Sequence, residues 1–163
     1  MNMNEENTAR LERPCIRMMH PNTKKSGSML VVKMNPAHGE VEGRMEFTLL
    51  PQDEGKDGLP CFSNQGISMS LTSVEVAMLL EVLRGYCESL CEGRGIFHRC
   101  ADVMKKMTFQ HTIEPIPGYI ISMYAKDMHI TFHLNLAEAL VLSEAMASSL
   151  VYMAFGFPVG MEG

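Results

Sequence analysis

The sequence predicts an α+β domain made of a duplicated strands-then-helix unit, and three observations lead there. First, Ile67-Ser-Met-Ser-Leu-Thr-Ser-Val-Glu-Val-Ala-Met-Leu-Leu-Glu aligns without a gap on Ile130-Thr-Phe-His-Leu-Asn-Leu-Ala-Glu-Ala-Leu-Val-Leu-Ser-Glu. Ile67/Ile130, Leu71/Leu134, Glu75/Glu138, Leu79/Leu142 and Glu81/Glu144 are identical at a constant offset of 63 residues. Second, both copies switch from strand alternation to helical spacing at a capping box, Thr72 with Glu75 and Asn135 with Glu138. Third, several short alternating runs separated by turn residues precede each copy. Two copies are too few for a solenoid. They fit a pseudo-twofold domain with antiparallel sheets covered on one face by two helices. Chance agreement between two ordinary strand–helix junctions is the competing explanation.

In chain order, residues 1–27 are polar, with Pro14, Pro21 and an Asn-Thr-Lys-Lys-Ser-Gly run, and read as a flexible N-terminal arm. Met29 to Met34 is a β-favouring run closed by Asn35-Pro36. Met45, Phe47 and Leu49 alternate with Arg44, Glu46 and Thr48 as a half-buried strand. Residues 51–60 gather Pro, Gly and Asp into a loop, and Ile67, Met69 and Leu71 then alternate with serines. From the Thr72 cap, Val74, Met78, Val82 and Tyr86 keep helical period, predicting a helix to about Cys91. Glu92 to Asp102 reads as a linker. Beyond it, Met107, Phe109, His111 and Ile113 form an alternating strand, Tyr119 to Ala125 another, and Met128 to Leu134 a third after a Lys126-Asp127 turn. The Asn135 cap opens the last helix, which ends near Gly156 and Pro158. The domain is thus expected over 28–156, with repeat one at 28–91, repeat two at 103–156 and a tail at 157–163.

Composition sets the bounds. With 163 residues, 46% hydrophobic and 20% charged, the chain is long enough for one well-cored domain. No uninterrupted run of eighteen apolar residues suggests a membrane span, and the start lacks a secretory pattern. Five cysteines at irregular spacing point to reduced thiols and a cytoplasmic setting. Sixteen methionines and no tryptophan suggest a soft core or an adaptable contact face. The net charge of −5 argues against bulk electrostatic coating of nucleic acid. The basic residues are grouped, however: Arg10, Arg13, Arg17, Lys24, Lys25 and Lys33 near the start, and Arg94, Arg99, Lys105 and Lys106 later.

No catalytic constellation is visible. There is no phosphate loop and no nucleophile elbow, and Glu75 and Glu138 have a structural account as caps, so the expectation is a non-enzyme without cofactor. Cys87, Cys91, His98 and Cys100 raise a zinc reading, but four-residue spacing on a helix is a weak knuckle and free cysteines on such a helix are usually buried. The polar strand faces, with Ser68, Ser70, Thr108, Gln110, His129, Thr131 and His133, could meet phosphates or base edges, although antiparallel sheets often carry such a wetted face with no ligand. Phe62, Phe97, Tyr119 and Tyr124 are aromatic candidates for stacking.

The chain resembles the Whirly family of single-stranded DNA-binding proteins and the related kinetoplastid mitochondrial RNA-binding proteins. The resemblance lies in Ile67-Ser-Met-Ser-Leu-Thr-Ser-Val-Glu, in Cys91-Glu92 followed by Ile96-Phe97-His98 with Gly93-Arg94-Gly95 inserted, and in Gly118-Tyr-Ile-Ile-Ser with Ile130-Thr-Phe-His-Leu. Lys25-Ser-Gly-Ser-Met-Leu-Val-Val loosely matches the family's lysine-bearing DNA-binding segment. The family's closing tryptophan segment is replaced by Phe155-Gly-Phe-Pro. The resemblance implies a duplicated ββββα unit, with two antiparallel four-stranded sheets on a helical pair. It also implies homo-oligomers (dimer or tetramer) formed through the helices, and single strands running along sheet edges. On that reading Lys24, Lys25, Lys33, Arg44, Lys105 and Lys106 meet phosphates, and Phe47, Phe62, Phe97 and Phe109 stack on bases. The expected function is non-catalytic binding of single-stranded DNA or RNA with little sequence preference, in replication, recombination or transcription, without a membrane partner. The alternative is an acidic protein-interaction module such as a secretion-type chaperone dimer.

Overall fold

The computed structural model describes residues 15–55 and 58–156. Two antiparallel sheets carry the chain. The first consists of β1 (Cys15–His20), β2 (Ser28–Asn35), β3 (Arg44–Asp53) and β5 (Ile67–Leu71) in that spatial order. The two-residue β4 (Cys61–Phe62) is added at the end of β3. The helix α1 (Ser73–Leu83) follows. The second sheet runs β6 (Ile96–Cys100), β7 (Val103–Thr112), β8 (Gly118–Ala125) and β9 (Met128–Leu134), and α2 (Leu136–Phe155) closes the fold. The architecture is therefore the expected α+β one, a strand-rich unit and a helix repeated twice.

Three boundaries differ from the sequence reading. The segment 15–20, expected in the arm, pairs along its whole length with Ser28–Lys33 as β1, so repeat one begins earlier. Residues 1–14 and the expected tail 157–163 lie outside the described residues. The presumed linker 92–102 contains β6, the first strand of repeat two. Helix α1 ends at Leu83 rather than near Cys91, because Gly85 takes a left-handed φ of 75° and the Tyr119 hydroxyl donates to the Leu83 carbonyl at 3.1 Å. The period that continued through Tyr86 belongs to an exposed turn, with Tyr86 79% accessible.

Both capping boxes form as the sequence requires: the Thr72 and Asn135 side chains accept from the amides of Glu75 and Glu138, and those carboxylates accept from the cap amides. Aligning the halves through Ile67/Ile130 makes β5 the counterpart of β9, and the strand registers carry the equivalence across each sheet. Leu49 then matches Met123, Leu30 matches Met107, Val32 matches Phe109 and Met69 matches Phe132. All of these are buried, in one cluster with Val76, Leu79, Leu142 and Met146 of the helices. Each burial of a side chain of this size contributes roughly 1.5–3 kcal/mol.

Polar contacts repeat as well. Thr48 Oγ1 meets Ser68 Oγ at 2.7 Å, and its counterpart pair Ser122 Oγ and Thr131 Oγ1 meets at 2.9 Å. The halves are stitched reciprocally: Ser28 Oγ donates to the Thr131 carbonyl, and Lys105 Nζ, at the equivalent place, donates to the Ser68 carbonyl. His20 of β1 bonds the cap carboxylate Glu138 of the other repeat at 2.6 Å, and His98 of β6 bonds Glu75 at 2.7 Å. The pseudo-twofold thus extends from core to individual hydrogen bonds.

Candidate functional site

A turn with Cys91 and Glu92 in left-handed conformation brings the chain from α1 to β6. Gly95, with φ of 80°, follows it, and any Cβ there would run into the Met107 carbonyl oxygen. That close approach sets the register of β6 on β7, which places Phe97 directly opposite Lys106. Lys106 in turn faces Tyr124, and Tyr124 faces His129. Alternation puts all four on the outer face, because their neighbours Ile96, Met107, Met123 and Ile130 point into the core. The result is one row across four strands, roughly 14 Å long at the usual strand spacing.

The row is an ordered aromatic–cation stack. Lys106 Nζ lies 5.4 Å from the Phe97 ring centroid and 5.7 Å from that of Tyr124. Tyr124 and His129 stack at 4.1 Å with 7° between planes. Phe97 is 54% exposed and Tyr124 37%. Beside the row lie the hydroxyls of Thr108, Ser122 and Thr131, and then Gln110 and His133. The four strands of this sheet contain no Asp or Glu, yet they hold Arg99, Lys105, Lys106 and four of the six histidines. The acidity of the chain lies elsewhere.

The row ends at a cleft of about 590 Å³ where the two sheets meet, lined by Arg44, Glu46, Ser68, Met69 and Ser70 from sheet one and Phe97, His98, Arg99, Cys100 and Lys105 from sheet two. His98 is fixed there by Glu75. Burial opposes ionisation of Glu75. The hydrogen bonds from His98 and the Thr72 amide, the charge of His98 and the Thr72 hydroxyl together outweigh burial, holding its carboxyl below the ordinary value of 4.5. Three cations against one carboxylate in the wall, with an aromatic ring at the rim, suit an anionic ligand carrying a flat group.

Comparison with solved structures gives the fold its relatives. A Trypanosoma brucei MRP1/MRP2 crystal structure superposes with a TM-score of 0.59 at 18% identity, covering 86% of this chain and 85% of that one. A guide-RNA-binding protein complex bound to a guide RNA gives 0.57 at 19% identity, covering 86% and 91%. The fold is Whirly-like. No protein-family model matches the chain, and no curated protein matches it.

On this Whirly-like frame the expected site residues divide. Arg44, Phe97 and Lys105 share the cleft, with Lys106 next to it in the row. Lys24 and Lys25 lie in the exposed β1–β2 turn and do not line the cleft, and Lys25 pairs with Glu54 at 2.6 Å. Lys33 lies on the outer face of sheet one opposite Glu46. Phe62 is half-buried on β4. Phe47 and Phe109 are not stacking residues. They are 1% and 2% exposed and face the helices, Phe109 packing on Tyr119 at 5.6 Å. The alternation that marks their strands already turns them inward. Arg99, Tyr124 and His129 complete the surface. Their convergence depends on cross-strand register, which the sequence does not display. Among the described residues no cluster of three or more His, Cys, Asp or Glu suits a metal, and Cys87 and Cys100 are exposed free thiols.

Proposed function

We propose that the chain is a non-catalytic binder of single-stranded nucleic acid, DNA or RNA, with little sequence preference, serving replication, recombination or transcription. The observation that supports this reading best is the Phe97–Lys106–Tyr124–His129 row on a sheet free of carboxylates. Rings held flat beside a lysine offer sequence-tolerant stacking, while the cations take up backbone charge. The guide RNA bound by a protein of the same fold adds support. Titration of a labelled thirty-nucleotide oligo(dT) and its RNA counterpart at two salt concentrations is the test. Binding that weakens steeply with salt supports the proposal, and no binding to any strand at low salt abandons it.

The protein is further proposed to be a homo-oligomer joined through its helices. Val74 on α1 and Leu136, Leu140, Val141, Val151 and Phe155 on α2 are exposed apolar side chains. They raise the mean hydropathy of α2 to 1.3, long and apolar enough to cross a membrane although polar residues interrupt it. The face of α2 that carries Ala139, Leu142, Met146 and Met153 is buried against the rest of the fold, and the remainder of the helix supplies the outer contact face. Leu140→Glu with Val151→Glu should shift the sedimentation coefficient to that of the monomer; an unchanged coefficient would remove the helices from the interface.

A further inference from the structure

The duplication gives the positions lining the cleft counterparts in the other half, and their chemistry differs. Through the strand registers, the positions of Arg44, Arg99 and Lys105 correspond to positions on β8 and at the ends of β1 and β2. There Gly118 stands for Arg44, Pro21 for Arg99 and Ser28 for Lys105, so every cation is missing. The counterpart row is changed in the same way. Met19, Met29 and Leu50 occupy the places of Phe97, Lys106 and Tyr124, with Gly66 at that of His129. What is kept between the halves is structural: the His–Glu bonds, the hydroxyl pairs and the buried core. What diverges is the set of groups an anion and a base would touch.

We infer that each chain holds a single strand on one side only, with a nucleotide seated in the Arg44–Arg99–Lys105 cleft, its base against Phe97 and its phosphate among the three cations. The inference rests on the proposed nucleic-acid reading and deepens it by assigning the nucleotide to this cleft rather than to the equivalent positions of the other half. The cleft volume, about 590 Å³, lies in the range of ligand-sized sites. Lys105 is anchored by one hydrogen bond, at 2.8 Å to the Ser68 carbonyl, and an ammonium carries three protons, so two remain for an oxygen ligand. Arg44 approaches a carboxylate only at 3.9 Å, at Glu42, and its side chain is 43% exposed. Ser70 supplies a neutral hydroxyl on the sheet-one wall that also carries Arg44, facing Arg99 and Lys105 of sheet two. Glu46 also lines the cleft and limits how far a phosphate can shift toward β3.

The test compares two double variants of the full chain in the salt dependence of oligo(dT) binding. Arg44→Gln with Arg99→Gln should lower the slope of log K against log salt by about 0.7 for each cation removed. Lys24→Gln with Lys25→Gln, on the exposed turn of repeat one, should leave the slope unchanged. A cleft variant that keeps the wild-type slope, or a turn variant that loses as much, overturns the cleft assignment while strand binding by the protein stands. Absence of wild-type binding at low salt overturns the nucleic-acid reading itself, and the cleft assignment with it. Thermal melting of both variants controls for folding, because Arg99 is exposed and Arg44 half-exposed on strands whose cores they do not enter.

Discussion

Sheet one and sheet two are the same scaffold with different surfaces. Inward, Leu30 and Met107, Leu49 and Met123, and Met69 and Phe132 exchange one apolar group for another at nearly complete burial. Outward, the row Met19–Met29–Leu50 faces the row Phe97–Lys106–Tyr124 across the pseudo-twofold, and nothing in the chemistry is shared. Packing and the cross-repeat hydrogen bonds restrict the inner positions in both halves. The outer positions are free of that restriction: sheet one places Arg17, Lys33 and Arg44 there together with Glu46, whereas sheet two sets exposed rings beside a cation on strands without a carboxylate. The Coulomb problem of an acidic chain is resolved the same way. A net charge describes the whole molecule, whereas a ligand meets one face, screened from distant carboxylates beyond roughly 8 Å at physiological salt.

The largest expected effect tests whether the two halves share one core. Phe132→Ala should cost roughly 3–5 kcal/mol and Met69→Ala roughly 2–5 kcal/mol in urea unfolding, both in a single transition. Two separate transitions would make the halves independent. Next comes the surface contrast: Phe97→Ala should weaken oligonucleotide binding by about 1–3 kcal/mol, roughly 5- to 150-fold, while Met19→Ala at the equivalent place stays within about twofold. Equal losses would erase the distinction between sheets. At the caps the halves should behave alike. Thr72→Ala and Asn135→Ala should each destabilise by about 1 kcal/mol, and a difference above about 1 kcal/mol between them would show that the two boxes carry unequal strain.

The smallest effect concerns acid. Because the folded pKa of Glu75 is lowered, its stabilisation is present above the unfolded value of 4.5 and is lost as pH falls through the folded value. Glu75→Gln should flatten the dependence of unfolding free energy on pH below about 4.5, measured by denaturant titration in acid. A wild-type slope in the variant would assign the acid sensitivity to other carboxylates.

Much of the fold could be read because it is written in local pattern. The offset of 63 residues, both capping boxes and the strand alternation are short-range signals, and each reappears as an element. The misplaced parts are those that depend on distant partners. Cys15–His20 is a short mixed segment between Pro14 and Pro21 with no clear alternation, and only its register on β2 makes it a strand. The stretch Ile96–Cys100 was hidden by Gly93 and Gly95, which read as linker but serve as the tight entry to β6. Of the candidate site, Phe97, Lys105, Lys106 and Arg44 were legible from residue type and resemblance. Phe47 and Phe109 carry the right residue type on the wrong face. Arg99 and His129 join the surface only through pairing across strands.

Methionine provides the most direct measurement of the central claim, that one of two equivalent sheet faces holds the strand. Met104 is 53% exposed on the outer face of sheet two, and Met19 is 57% exposed on that of sheet one. With methyl-labelled methionine, titration with oligo(dT) should shift and broaden the Met104 signal while Met19 and Met29 stay in place. Comparable shifts on both sheets, or shifts confined to Met19 and Met29, would contradict the account.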